Sequence, residues 1–246
     1  MSNYDINSNP KLVQIFKRQY QEAEESKRNN PKSVLLDFKQ ELLELGFEFE
    51  VLNQAEALMP KYKELLLPVV LKYYQRAILR DEKLDLLHWL YHKGFDDAVP
   101  LLLKDFYDSN SVTDKWAIAD TIYVIQSKSY IEEYIKIITD TELGISRQMI
   151  VLLVGKLKVE KAIPILEELL DDETVRLHAL TALGYYKQER LCKHFEKYKE
   201  SKNAALRKCA KNSLEMLTKK INEGAQGVHK GTVPCVSRSP VFHQLD

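Results

Sequence analysis

The sequence predicts an all-α protein in which pairs of helices follow one another at a fixed period. Apolar residues recur at helical spacing from about Lys61 to Lys220, and glycine is scarce over this region. Two further features, a proline and a basic residue, each return along the chain at nearly the same interval. A repeat of this length is typical of stacked helix pairs, in which neighbouring pairs bury each other's apolar faces.

The first repeated feature is a proline inside an apolar triplet. The stretches "LLPVV", "AVPLL" and "AIPIL" place Pro68, Pro100 and Pro164 at intervals of 32 and 64 residues. The copy between the last two, "YIEEYIKII", has Glu132 at the corresponding position. This recurrence marks the first helix of each pair.

The second repeated feature is a basic residue that heads the second helix of each pair. Its intervals are 32, 32, 29 and 31 residues, which match the proline period. Two independent features with one period predict an array of about five helix pairs over residues 61–221. The five basic residues are Lys83, Lys115, Arg147, Arg176 and Arg207.

Residues 1–60 are predicted to form a helical cap at the N-terminal end of the array. Helices are expected at about Pro10 to Arg28 and Pro31 to Leu45, because proline suits a first helical turn. Gly46 is expected to end the second of them. A cap of this kind covers the apolar end that an array otherwise exposes.

Residues 222–246 are predicted to form an unstructured tail. Glycine, proline and serine interrupt this segment, and no helical period is visible. Its composition also departs abruptly from that of the body, which raises the interpretation that the tail is not native to the protein.

One repeat shows the predicted organisation, with a first helix over about Ala162 to Leu170, the turn "DDET" and a second helix over about Val175 to Tyr186. Thr174 is the expected N-cap of the second helix. The proline, the Asp-rich turn and the basic residue after it resemble HEAT repeats, most closely the short bacterial HEAT-like repeats also found in phycobilin-lyase-type proteins. The resemblance covers about Leu65 to Lys220. Glu132 and Lys193 depart from it by replacing the proline.

This resemblance implies a right-handed α-α superhelix and, from the usual role of the family, a scaffold that binds other proteins. It also implies that the basic residue of each repeat is structural and bonds an Asp or a backbone carbonyl of the adjacent turn. The alternative is a line of solvent-facing cations that binds an acidic partner.

Composition excludes some classes of function and disfavours others. The 36 basic and 36 acidic residues balance, whereas a dedicated nucleic-acid binder usually carries a basic excess. No apolar run approaches the length of a membrane span, and the N-terminus lacks the apolar core of an export signal. The three cysteines, Cys192, Cys209 and Cys235, form no C-x-x-C pair. We therefore expect a cytoplasmic protein with reduced thiols and no membrane association.

The second helices carry two distinct stripes when residues are counted from the basic residue. Positions 3, 4 and 7 are apolar in the first four copies and predict the core. Positions 1, 5 and 8 share another face and hold aromatic, polar and aliphatic residues together. Such a mixture is typical of a recognition surface, so a groove that binds a protein or peptide without catalysis is the predicted function. The groove candidates are Tyr91, Trp116, Asp120, Tyr123, Gln148 and Thr181. The alternative for Trp116 and Tyr123 is that they pack against the next repeat, as Leu84, Leu152 and Leu177 are expected to do.

No metal or cofactor site is predicted. His88 and His92 are four residues apart, and Asp85 lies one turn before His88. The Glu that activates water in H-E-x-x-H sites is missing, and no third strong ligand is evident. We expect His92 to lie near the end of its helix, where a histidine suits the helix dipole.

A DNA-binding alternative rests on "KWAIAD", which places Trp116 and Asp120 one turn apart. This pair is similar to the pocket of the HEAT-like alkylpurine DNA glycosylases. The resemblance implies that Trp116 stacks on a cationic lesion, Asp120 stabilises positive charge and Arg147 holds a phosphate. The family's further Trp falls near Ala182 or Tyr185 here, and the zero net charge disfavours phosphate binding.

Overall fold

The computed structural model describes Gln14, residues 33–50 and residues 52–225. Within these residues every regular element is a helix and no strand occurs, which confirms the all-α prediction. The predicted helix at Pro10 to Arg28, apart from Gln14, lies outside the described residues, as do the tail beyond Ala225 and Cys235.

The chain forms two compact units, the first ending at Asp108 and the second beginning at Ser109. The boundary falls within the second predicted helix pair, between its first and its second helix.

Unit 1 contains five described α-helices, and its α1 ends where the sequence predicts. Gly46 has a φ of +86°, and the N–H of the next residue, Phe47, donates to the carbonyl of Leu42 at 3.1 Å. This geometry closes the helix and confirms that Gly46 ends it. The helices are α1 (Leu35–Glu44), α2 (Leu52–Glu56), α3 (Lys63–Arg76), α4 (Arg80–Trp89) and α5 (Val99–Asp108), the last preceded by a 3₁₀ turn at Asp96–Ala98.

An aromatic cluster and a buried carboxylate hold unit 1 together. The ring of Phe38 lies 5.3 Å from that of Tyr73 and 4.9 Å from that of Trp89, so α1 packs on both α3 and α4. Glu82 of α4 is buried and accepts hydrogen bonds from the Ser33 hydroxyl and, at 3.0 Å, from the Val34 N–H. These bonds satisfy the buried carboxylate and join α4 to the residues that precede α1.

Unit 2 places its second helices side by side. Helix α6 packs on α8, α8 on α10 and α10 on α12, while the first helices α7, α9 and α11 pack on α8, α10 and α12. The bounds are α6 (Val112–Ile125), α7 (Ile131–Thr139), α8 (Gln148–Lys156), α9 (Ile163–Glu168), α10 (Arg176–Tyr186), α11 (Cys192–Tyr198) and α12 (Ala204–Ala225). Short 3₁₀ segments at Thr141–Arg147, Glu160–Ala162, Leu169–Asp171 and Glu189–Leu191 complete the turns.

Two glycines allow these second helices to approach closely. A Cβ on Gly155 of α8 would lie 2.6 Å from the Cα of Ala182, and one on Gly184 of α10 would lie 2.7 Å from Ser213 Oγ. Both glycines are buried. The sequence placed them at position 8 of the mixed stripe, so at these two places the stripe is a contact between helices rather than a surface.

Three local expectations differ from the structure. Helix α1 begins at Leu35, whereas the sequence predicted a start at Pro31. Thr174 does not cap α10, because Val175 occupies the N-cap position. The N–H and the hydroxyl of Thr174 instead donate to Asp172 Oδ1, at 2.8 and 2.6 Å, in a tight Asx-type turn. The last helix continues to Ala225, beyond the end predicted at Ile221, so residues 222–225 are helical.

The buried Tyr73 makes the stability of unit 1 sensitive to alkaline pH. Burial and a 2.8 Å hydrogen bond to Glu41 raise the pKa of Tyr73 from 10.0 to about 12. The pKa is raised in the folded state, so the stabilisation is complete below pH 10 and is lost as the pH rises towards 12. We expect the free energy of unfolding, measured with urea, to fall over this range and to fall less steeply in Tyr73→Phe.

The exposed Tyr62→Phe serves as the control and should keep the wild-type dependence on pH. Burial also raises the pKa of Tyr186, so Tyr73→Phe removes only part of the decline. An unchanged alkaline slope in Tyr73→Phe would contradict this assignment.

Candidate functional site

The exposed side of α6, α8 and α10 in unit 2 forms one connected surface, which we call the second-helix face. Hydrogen bonds link α6, α8 and the turn before α10 at one end of the face, and Tyr123 and Tyr185 meet at the other. Five of the six predicted groove residues lie here, namely Trp116, Asp120, Tyr123, Gln148 and Thr181. The sixth, Tyr91, belongs to unit 1, where it lies just beyond the end of α4 and is 42% exposed.

Trp116 is the most exposed aromatic side chain of the face and is held in place. Its indole Nε1–H donates to Gln148 Oε1 at 3.2 Å, and 37% of the residue is exposed. The Gln148 amide in turn donates from Nε2 to the carbonyl of Thr174 at 2.7 Å. The Trp116 ring is therefore fixed by a chain of hydrogen bonds that crosses from α6 through α8 to the turn before α10.

The buried guanidinium of Arg147 stabilises the same turn, the one before α10. Arg147 is 1% exposed and donates to the carbonyls of Ile138, at 2.9 Å, and Gly144, at 3.2 Å, and to the carboxylate of Asp172. Burial alone raises the pKa of Asp172, but hydrogen bonds from Thr174 and the charge of Arg147 lower that pKa overall. This network fixes the turn whose carbonyl orients Gln148, and hence the position of Trp116.

Two tyrosines meet at the other end of the face. Tyr123 of α6 lies close to Tyr185 of α10, and Lys156 Nζ lies 5.4 Å from the centre of the Tyr185 ring. Burial, followed by the neighbouring Tyr123 hydroxyl, raises the pKa of Tyr185 to about 12. The Tyr185 phenol is therefore protonated at neutral pH and presents a hydroxyl rather than a charge.

Polar groups occupy the middle of the face. Asp120 is half-buried one turn after Trp116. The Thr181 hydroxyl donates to the carbonyl of Leu177 at 2.8 Å and lies 3.3 Å from Cys209 Sγ. Burial raises the pKa of Cys209, which disfavours the nucleophilic thiolate and suits a packing role.

The recurring basic residues engage groups near them. Lys83 Nζ lies 2.7 Å from Asp105 Oδ2, Arg176 Nε donates to the Leu170 carbonyl at 2.7 Å, and Arg207 donates to the Ser201 carbonyl at 2.6 Å. Lys115 is half-buried at the start of α6. Arg147 has the deeper network given above, so the three arginines are oriented towards turns, whereas Lys83 pairs with a carboxylate of helix α5.

The two histidines of unit 1 lie in different environments. His88 is exposed, whereas His92 stands beyond the end of α4 with its ring 5.1 Å from that of Phe95. Burial lowers the pKa of His92. Over the described part of the chain, no group of three His, Cys, Asp or Glu side chains is arranged to hold a metal ion.

The position of Arg147 bears directly on the DNA alternative. Its guanidinium is buried and donates to two carbonyls and a carboxylate, so it does not face a phosphate as the glycosylase resemblance requires. Ala182, one of the two positions matching the family's further Trp, is buried against Gly155.

Several functional features are evident only in the structure. The sequence did not indicate that Lys156 stacks near Tyr185, or that the Thr174 carbonyl orients Gln148. The separation of Trp116 from Gln148 by 32 residues, one full repeat, was the available signal for their contact. Tyr123 and Tyr185 lie two repeats apart at unequal positions, so the period alone gave no signal.

Comparison of the chain with protein-family models, curated proteins and solved structures found no match. Within residues 33–50 and 52–225, no helix has both the length and the apolar character needed to cross a membrane. Function is therefore inferred from the chemistry of the second-helix face.

Proposed function

We propose that this protein is a non-catalytic binding protein whose second-helix face holds a segment of a protein partner. The observation that carries the proposal is the exposed Trp116, oriented by Gln148 and, through it, by the turn at Thr174. Tryptophan is among the residues that contribute most to protein interfaces, because it buries a large area with few rotatable bonds.

Fixing the ring before binding favours association. A side chain that is immobilised only on binding costs roughly 0.5–1.5 kcal/mol in lost freedom. The hydrogen bond from Trp116 to Gln148 has already restricted the indole in the unbound protein. The conformational entropy of this apolar side chain is therefore lost during folding and not on binding.

The dimensions and chemistry of the face suit an extended peptide. Trp116 and Tyr123 are seven residues apart on α6, which is about 10 Å along the helix axis. Three adjacent helices add roughly 18 Å across. At about 3.3 Å per residue, a strand crossing the helices covers five or six residues. The hydroxyls of Tyr123, Tyr185 and Thr181 offer hydrogen bonds to such a backbone.

The architecture behind the face belongs to the same proposal. Successive packing of α6, α8, α10 and α12 supports a HEAT-like right-handed superhelix in unit 2, and we propose that residues 1–60 form the N-terminal cap of the array. Cys192 and Cys209 are free thiols, which suits a reducing cytoplasm. An adaptor, an assembly factor and an inhibitor or immunity partner of another protein all use a surface of this kind.

Replacing Trp116 with alanine is expected to abolish capture of the partner while the protein stays folded. Loss of a central tryptophan costs about 2 kcal/mol or more, which is roughly thirtyfold in affinity. Affinity capture from a lysate of the source cells, read by mass spectrometry, compares wild type, Trp116→Ala and Tyr107→Ala. Tyr107 is an exposed aromatic residue of unit 1 and serves as the matched control.

We predict that one polypeptide is retained by wild type and by Tyr107→Ala but is lost by a folded Trp116→Ala. Equal retention by all three proteins contradicts the proposal. Salt-sensitive retention of DNA alone also contradicts it, and leads next to a glycosylase assay.

A further inference from the structure

The charges of the chain are unevenly distributed. Residues 187–220 contain eleven lysines and arginines but four glutamates, although the whole chain has 36 basic and 36 acidic residues. The remainder of the sequence is therefore acidic on balance. The basic excess is confined to the last helix pair, α11 and α12, and the turns beside it.

Most cations of this pair face solvent. On α12, Leu206, Ala210 and Leu217 are buried, whereas Lys208 and Lys211 are exposed about one turn apart. The exposed cations within the described residues of the pair and its turns are Lys187, Arg190, Lys193, Lys197, Lys202, Lys208, Lys211 and Lys219. We call this surface the terminal basic surface.

Local carboxylates neutralise Lys193, Lys197 and Lys211 of the terminal basic surface only weakly, and Lys211 lies 3.8 Å from Glu200. Lys193 and Lys197 approach Glu167 and Asp171, both at 4.0 Å, and more than half of each lysine side chain is exposed. Solvated pairs at such distances contribute about 0–1 kcal/mol and exchange readily. Lys202 and Lys208 contact no carboxylate of the described residues.

The terminal basic surface borders the second-helix face. Helix α12 packs on α10, and Cys209 Sγ lies 3.3 Å from the Thr181 hydroxyl of that face. Lys208 precedes Cys209 and occupies position 1 of its helix, the position that Trp116 and Gln148 occupy in theirs. A segment crossing from Trp116 over α10 therefore arrives at Lys208.

We propose that the terminal basic surface binds an acidic segment of the protein partner, next to the residues that contact Trp116. This inference rests on the proposed function, which makes the partner a protein. It adds the chemistry of the bound segment, which is an apolar side chain followed by carboxylates. Opposite charges on the two surfaces would also accelerate the encounter between the proteins.

An acidic peptide fits this surface better than a nucleic acid does. Glu189, Glu196, Glu200 and Glu215 are interspersed among the cations, and Glu167 and Asp171 adjoin them. The regularly spaced phosphates of a nucleic acid would meet several of these carboxylates. A peptide can place single carboxylates on single lysines, whose ammonium groups act as point charges.

The test measures binding of a labelled oligoglutamate of about ten residues by fluorescence anisotropy, at about 0.02 M and about 0.15 M salt. Wild type should bind it, and more tightly at low salt. Lys202→Glu/Lys208→Glu should weaken binding roughly tenfold. The matched control, Lys104→Glu/Lys128→Glu, reverses two exposed lysines elsewhere and should weaken it less than about twofold.

Failure of wild type to bind oligoglutamate overturns the inference, as does an equal loss in the two double variants. Tighter binding of an oligodeoxynucleotide of the same charge overturns it in favour of a nucleic acid. Trp116→Ala should leave oligoglutamate binding unchanged, which separates the two proposals. If Trp116 proves irrelevant to capture while Lys202 and Lys208 govern oligoglutamate binding, only the proposed function fails.

Discussion

Replacing Arg147 with methionine is expected to lower the free energy of unfolding by roughly 3 kcal/mol, the largest loss we foresee for a single polar residue. The buried guanidinium donates to the carbonyls of Ile138 and Gly144 and to the Asp172 carboxylate. Methionine fills much of the volume but leaves these acceptors without donors, and an unsatisfied buried polar group costs about 1–3 kcal/mol. Urea denaturation followed by circular dichroism measures the change.

Lys161→Met is the matched control for this prediction. Lys161 also pairs with a carboxylate, that of Glu132, but both side chains are about half exposed or more. Exposed pairs contribute at most about 1 kcal/mol. A loss in Arg147→Met no greater than that in Lys161→Met would show that the buried network does not stabilise the turn.

Gly155→Ala is expected to destabilise unit 2 by about 2 kcal/mol, even though alanine favours helices by about 1 kcal/mol over glycine. The added Cβ would lie 2.6 Å from the Cα and Cβ of Ala182 and 2.7 Å from its carbonyl oxygen. Two of these atoms are backbone, so α8 and α10 must separate to relieve the contact. Thermal and urea unfolding both report the change.

Gly184→Ala provides the comparison, because its Cβ would meet the movable hydroxyl of Ser213 at 2.7 Å. Adding Ser213→Ala should restore the stability of Gly184→Ala, whereas adding Ala182→Gly should not restore Gly155→Ala. Full rescue by Ala182→Gly would mean that the helices do not approach each other through their backbones.

The sequence period predicted the helix pairs because stacking imposes the same apolar faces on every copy. The period placed a basic residue at the start of each second helix. Arg147 occupies this position and donates hydrogen bonds to the neighbouring turn. The period did not distinguish a buried guanidinium from an exposed one. That difference depends on Gly144, which has a φ of +49° and whose carbonyl accepts from Arg147 Nε.

The candidate surface was predictable where one repeat contacts the next at equal positions. Trp116 and Gln148 both occupy position 1, and they are hydrogen-bonded. The sequence wrongly placed Gly155 and Gly184, at position 8, on the exposed stripe. The distance between two helices depends on how they pack, which the residue pattern of a single helix does not show. The contact between Tyr123 and Tyr185 joins unequal positions on α6 and α10, so a single-period pattern could not predict it.

Site-specific photo-cross-linking in the source cells tests the central claim most directly. A photoreactive residue at Leu152, half-buried on α8 within the second-helix face, is compared with one at the exposed Lys104 of unit 1. We predict one polypeptide adduct at position 152, absent at position 104 and lost when Trp116→Ala is added. No polypeptide adduct at position 152, or an adduct that survives Trp116→Ala unchanged, would contradict the account.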